Sequence, residues 1–232
     1  MSTALPLRFT PQYAEPPAPS PAASIYEHIK QTYGAECTEV IAKRNTIICN
    51  QGSGPQGLHL IEKGEIMLSR LSPDGRETLI SILGPGEFFG ESSLLSGTTV
   101  TFSATATKRS HLLLLPGRKF SLLLEDPRVC RILLEAIAQQ CNDAWTQLEV
   151  LGCTRVRDKV RSGLAWLSEK IGVETHDGVR IDINQTQLAR MLGCAREALS
   201  REVSELKRSR TIDVRYGNGK KSLVLVNPQS RR

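Results

Sequence analysis

Near the C-terminus, Arg196, Glu197, Ser200 and Arg201 are spaced so that one side of a helix carries all four. A guanidinium fork matches the O6/N7 edge of guanine, and a carboxylate accepts from cytosine N4. The set therefore has the chemistry of base readout in a major groove. A glutamate repels phosphate, so its place among arginines suits a base edge better than a sugar–phosphate backbone. The competing reading is an ordinary helical hairpin with a charged, solvated face.

The elements that must position this set are legible around it. Asn184 is a good N-cap, and Gln187 three residues on is its capping-box partner. Leu188, Met191 and Leu192 form the inner face of a short helix, and Gly193 suits the left-handed residue that ends it. A second helix follows with Leu199, Val203 and Leu206 inward and Arg196, Glu197, Ser200, Arg201, Ser204 and Arg208 outward. Thr211 to Tyr216 and Ser222 to Val226 read as strands around Gly217-Asn218-Gly219-Lys220-Lys221. This is either a β-wing whose lysines, Lys220 first, reach phosphate, or a plain surface turn.

Upstream, the pattern changes. Residues 1 to 24 are rich in Pro, Ala and Ser and read as a mobile arm. A short helix is expected around Ser24 to Tyr33. From about Thr38 to Leu115 short strands alternate with turn signals: Asn45 to Cys49, Leu58 to Ile61, Glu65 to Leu71, Glu77 to Leu83, Val100 to Ala106 and Ser110 to Leu115. Such spacing reads as an antiparallel sandwich or barrel. Pro73-Asp74-Gly75 marks a hairpin turn, since Pro presets φ and Gly accepts φ > 0. Glu125 to Leu151 reads as one long helix. Along it Cys130, Leu134, Ile137, Cys141, Ala144, Leu148 and Leu151 alternate at spacings of four and three. That is the seam of a helix paired with a copy of itself, unless the stripe packs on the chain's own strands. Gly152 breaks the helix, and a domain boundary is expected there. Val156, Val160, Leu164 and Leu167 make a further amphipathic helix, and Val179 to Ile183 a strand.

Charge is divided along the chain. Residues 1 to 150 carry 13 Lys+Arg against 15 Asp+Glu, and residues 151 to 232 carry 17 against 9, within a total of +6. A basic third on a slightly acidic body is the footprint of a nucleic-acid module joined to something else. No apolar run approaches the ~18 residues of a membrane helix, and no N-terminal signal pattern is visible. A cytoplasmic location is therefore expected. The cysteines, Cys37, Cys49, Cys130, Cys141, Cys153 and Cys194, are scattered without metal-ligand spacing and read mostly as small buried hydrophobes.

On these residues the sequence resembles the transcription regulators related to the cyclic-AMP receptor protein and the fumarate-nitrate reduction regulator, over about residues 38 to 226. The resemblance is carried by Gly84-Pro85-Gly86-Glu87-Phe88-Phe89-Gly90-Glu91, by the long helix, and by the helix-turn-helix with its wing. Arg196-Glu197 followed by Arg201 matches the reading motif of the cyclic-AMP receptor branch. The match implies a TGTGA-like half-site repeated as an inverted palindrome for a homodimer. It also implies Gln185 and Thr186 on phosphates, and RNA polymerase as a partner. In the implied effector pocket Gly90, Glu91 and Ser92 hold a cyclic nucleotide, Thr101 supplies a hydroxyl, and Gln140 and Cys141 border the ligand. Where the family has a phosphate-neutralising arginine, this sequence reads Thr98-Thr99-Val100-Thr101. Without that charge-assisted contact a large share of phosphate affinity is lost. The pocket thus reads either as a cyclic-nucleotide site or as a structural turn with no ligand. The redox branch holds an iron–sulfur cluster on clustered N-terminal cysteines; here none precedes Cys37.

The expected chain is α+β. Residues 1–24 form the arm and 25–124 a β-roll (jelly roll) of cyclic-nucleotide-binding type. Residues 125–151 form a dimerisation helix and 152–232 a winged helix-turn-helix. The expected function is sequence-specific binding of double-stranded DNA by a homodimer, with no catalysis, metal or membrane. Two other readings remain. A cupin-like enzyme needs a His-x-His metal cluster, which neither His59 nor His111 offers; each reads as a packed strand residue or else a haem ligand. A cyclic-nucleotide or redox sensor acting through protein partners, with Cys141 or Cys153 as its thiol, is opposed by the basic C-terminal third.

Overall fold

The computed structural model describes residues 21–176, 178–217 and 220–226. The chain runs α1 (Pro21–Tyr33), β1 (Thr38–Ala42), β2 (Ile47–Cys49), β3 (Gly57–Lys63), β4 (Ile66–Leu71), β5 (Glu77–Leu83), β6 (Phe88–Phe89) and α2 (Glu91–Ser96). It continues with β7 (Ser103–Ala106), β8 (Ser110–Pro116), α3 (Phe120–Leu124), α4 (Pro127–Gly152), α5 (Val156–Ile171), β9 (Val173–Thr175) and β10 (Gly178–Ile181). The last elements are α6 (Gln185–Leu192), α7 (Arg196–Arg208), β11 (Ile212–Gly217) and β12 (Lys220–Val226). Packing divides the chain into two units, with the division between Cys141 and Asn142.

In the unit ending at Cys141, two four-stranded antiparallel sheets, β1-β8-β3-β6 and β2-β7-β4-β5, make a roll. The two-residue alternation of a strand explains its core. Leu58 and Leu60 of β3 pack outward with Ile25 and Ile29 of α1 and with Val129 and Leu133 of α4. Ile61, on the opposite face, packs between the sheets with Phe89, Phe102 and Leu112. The Pro73-Asp74-Gly75 hairpin joins β4 to β5, with Gly75 at φ 80° and its amide donating to the Ser72 carbonyl at 2.9 Å. β7 begins later than the predicted strand because Val100 exchanges backbone hydrogen bonds with Gly52 and Ser53, a loop rather than a ladder. β6, α2, α3 and β9 have no counterpart among the predicted elements: at two to six residues they are too short to show a period.

α4 presents two apolar stripes. Val129 and Leu133 are buried against the roll, with Ile132 and Ala136 beside them. The predicted seam is a different stripe. Leu134 and Leu148 are 67% and 65% exposed, and Cys141 is exposed. Trp145, outside the predicted spacing, is 66% exposed. Packing on the chain's own strands therefore does not account for these residues. The cysteine expectation needs correction: Cys49 alone is buried, Cys141 is exposed and the other four are half-buried. Among the described residues no helix is long and apolar enough to cross a membrane.

In the unit from Asn142 onward, α5, α6 and α7 pack with one another and with the antiparallel sheet β11-β12-β10-β9. The first residues of this unit are still α4, and Asp143 there is paired with Lys170 of α5. Lys220 and Lys221 belong to β12, where they pair with Gly217 and Tyr216; the ladder extends further than predicted and takes both lysines out of the turn. Asn218 and Gly219 lie outside the described residues.

Candidate nucleic-acid interface

α6 is fixed at both ends. The Gln187 amide donates to Asn184 Oδ1 at 2.9 Å, and the Asn184 amide donates to Gln187 Oε1 at 3.2 Å, closing the capping box. Gly193 stands at φ 58°, and a Cβ there would lie 2.9 Å from a Leu151 methyl. The positive φ asks for glycine, and the turn it makes aims the next helix. That helix, α7, buries Leu199, Val203 and Leu206, which anchor it against the scaffold.

The opposite face of α7 is a shallow cleft lined by Arg196, Glu197, Ser200, Arg201, Ser204, Glu205 and Arg208, with Gln185 of α6 at its edge. Arg196, Glu197 and Arg201 are exposed, and Ser200 is half-buried. Among the described residues no hydrogen bond or ion pair occupies the first three. Further along, Ser204 donates to the Ser200 carbonyl at 2.8 Å, and Arg208 Nη1 donates to both carboxylate oxygens of Glu205 at 2.9 and 3.2 Å. Both partners are exposed, so this pair contributes little and yields to a ligand easily. Sequence reasoning left Glu205 out; its i,i+3 spacing from Arg208 was the available signal. Thr186 is exposed at the start of α6 but does not line the cleft. The Lys220 backbone opens β12, and its side chain lies outside the described residues. Thirteen residues of helix span about 20 Å, and a major groove about 12 Å wide admits such a rod side-on.

The second candidate site lies in the roll. Gly90 ends β6 at φ 104°, and a Cβ there would stand 2.4 Å from the Gly57 carbonyl oxygen, so the chain passes too close for a side chain. Glu91 follows and is 4% exposed. Burial raises its carboxyl pKa, opposed by the backbone N–H groups of residues 91 and 92 and by the Gln140 amide. Its Oε2 has no hydrogen-bond partner. The structure thus brings Glu91 and Gln140 together; Gln140 itself is exposed, as are Ser92, Thr101 and Cys141. His59 is 3% exposed, and its ring lies flat on Phe89 with centroids 4.6 Å apart. Burial lowers its pKa to about 4, against the Gly57 carbonyl, so it is neutral at pH 7. His111 is half-buried in β8. Burial also pushes the Cys37, Cys49 and Cys194 thiols up. Among the described residues no cluster of three His, Cys, Asp or Glu is placed to hold a metal ion.

Comparison with known proteins identifies the domains in which the two candidate sites lie. Residues 39–126 match the cyclic nucleotide-binding domain, and residues 158–230 match the Crp-like helix-turn-helix domain. The chain is 32% identical over 157 residues to a cyclic AMP receptor protein of Thermus thermophilus, covering 67% of this chain and 70% of that protein. It is 26% identical over 165 residues to a CRP-like cAMP-activated global transcriptional regulator of Mycobacterium tuberculosis, covering 70% and 74%. Among solved structures, the c-di-GMP responsive global regulator CLP of Xanthomonas campestris matches with a TM-score of 0.73 at 20% identity, over 87% of this chain and 99% of that one. At that identity the likeness shows the fold alone.

Proposed function

Since the chain belongs to the CRP/FNR family of transcription regulators, we propose that it acts as a homodimer reading a TGTGA-like inverted palindrome through α7. One observation carries the reading: Arg196, Glu197 and Arg201 stand exposed and unpaired on one face of a helix whose other face is fully packed. The arginines fit guanine edges and Glu197 a cytosine amine. Gln185, Thr186 and Lys220 serve the phosphates on either side.

The exposed stripe of α4, with Leu134, Cys141, Trp145 and Leu148, is the surface on which a second copy pairs. Pairing sets the two recognition helices one DNA turn apart, about 34 Å. In this reading residues 25–124 form the effector-type roll, 125–151 the dimerisation helix and 152–232 the DNA-binding domain. Gly90, Glu91, Ser92, Thr101, Gln140 and Cys141 border the effector pocket. The protein works in the cytoplasm by binding rather than by catalysis, and RNA polymerase is its partner at the promoter.

The test is a gel shift of ligand-free protein on a TGTGA palindrome and on random DNA, with and without cyclic AMP. The reading expects the palindrome to be preferred by about 10³-fold or more. Preference without ligand marks a regulator competent on its own, and a strict requirement for cyclic AMP marks the roll as a nucleotide site. Equal affinity for both DNAs in both conditions contradicts the reading.

A further inference from the structure

The last turns of α4 belong to the DNA-binding unit and present two different faces. Trp145 and Leu148 are exposed, whereas Asp143 and Gln147 are half-buried and Val150 is buried. Helical spacing sets the second group on one side of the rod and the first on the opposite side. The inward side meets its own unit at two places. At the C-terminal end, a Leu151 methyl lies 2.9 Å from where a Cβ on Gly193 would stand, against the turn between α6 and α7. Further back, Asp143 Oδ2 accepts from Lys170 Nζ at 2.5 Å, one residue before the end of α5. The Lys170 ammonium also lies over the Trp166 ring, 5.8 Å from its centroid. The Lys170 and Asp143 side chains are 16% and 20% exposed, so salt screens this pair less than a surface pair.

α5 is in turn fastened to the reading helices. It buries Val160, Leu164, Trp166 and Leu167 and packs against α6 and α7. A Cβ on its Gly163 would stand 2.2 Å from a Leu192 methyl of α6. Along α4, about 12 Å separates Asp143 from Leu151. A rod held at one end swivels about that end; held at two points this far apart, it does not. Without the ion pair, the hold is left to Val150 and Leu151, next to the link of residues 153–155 that joins α4 to α5. We infer that Asp143 and Lys170 are positioning residues for palindrome reading: their pair clasps α4 to α5 and so fixes α7 relative to the α4 face that carries Trp145 and Leu148. The inference rests on the proposed homodimer, in which that face meets the second copy. Neither residue lines the cleft of α7, so neither reads a base. One base pair added between half-sites moves them apart by about 3.4 Å and turns them by about a tenth of a turn. Clasped subunits follow one spacing, and unclasped subunits follow several.

The test uses the full chain and three DNAs: the TGTGA palindrome, the same palindrome with one base pair added between its half-sites, and a single half-site. Asp143→Asn and Lys170→Met each remove one charge at nearly constant shape, and Asp143→Lys with Lys170→Asp reverses the pair. Wild type is expected to favour the original spacing over the lengthened one by about tenfold or more. Each single variant is expected to lose most of that preference, with affinity for the single half-site within about twofold of wild type. The reversed pair is expected to recover the preference, as coupled partners do. Circular dichroism confirms that each variant is folded. Spacing preference unchanged in both single variants, equal losses on the palindrome and the single half-site, or a reversed pair no better than the single variants overturns the inference. A wild-type chain that prefers the palindrome while its variants match it in every DNA loses this inference alone. One that binds the palindrome no better than random DNA loses the regulator reading and this inference with it.

Discussion

The two units of this chain keep the polar residues of their candidate sites in opposite surroundings. On α7 the arginines and Glu197 are exposed, and a capped, packed scaffold holds them in place. In the roll, Glu91 and His59 are 4% and 3% exposed, and each has a buried side-chain atom without a hydrogen-bond partner. Water solvates the first set, so substituting one of its residues hardly touches stability. The second set is desolvated by the fold itself, and that cost is already part of the folded state. One site is a surface on a packed support, and the other is a piece of core with polar atoms left without partners.

Substitutions on the two faces of α7 give the widest expected contrast. Leu199→Ala removes a fully buried side chain and is expected to cost about 2–5 kcal/mol of stability in denaturant unfolding. Arg201→Ala, two residues on, is expected to leave unfolding within about 0.5 kcal/mol of wild type. Similar losses in both break the contrast.

In the roll the corresponding signature is pH dependence. The folded chain holds the His59 pKa at about 4, below the ordinary 6.5. Between those values the unfolded chain binds a proton that the folded chain does not. The stability tied to neutral His59 is therefore complete above about pH 6.5 and is lost as pH falls towards 4, by about 3 kcal/mol in all. Unfolding measured at several pH values in wild type and His59→Phe should show this slope in the first and not the second. Identical slopes count against a buried neutral ring.

Smaller effects sharpen the DNA side. Arg201→Ala is expected to cost about 1–3 kcal/mol of palindrome binding and to relax preference at one base pair, measured by competition with single-base variants. Asn184→Ala opens the capping box and is expected to cost about 1 kcal/mol of stability while leaving base preference unchanged.

These contrasts follow how far each region was legible in the sequence. Asn184, Gln187 and Gly193 announce α6 and its turn because a cap and a positive φ are local demands that few residues meet. Pro73-Asp74-Gly75 announces its hairpin for the same reason. The exposed side of α7 follows from helical spacing, since its polar residues have only solvent to face. The roll site resists such reading. Burial of Glu91 arises from Gly90 passing against Gly57, 33 positions back in the chain, and the position of His59 arises from strand pairing with Phe89. Trp145 escaped because it sits off the heptad spacing, yet lies exposed between Cys141 and Leu148 on α4. β6 and β9 escaped because tertiary pairing, not propensity, makes strands of two and three residues.

The most direct measurement of the central claim is the ratio of palindrome to random-DNA affinity in wild type, Arg196→Ala and Glu197→Ala at one salt concentration. The account predicts that both variants keep their fold and their random-DNA binding within a few-fold, while the ratio falls by about tenfold or more in each. An unchanged ratio in both variants contradicts the assignment of α7 as the reading helix.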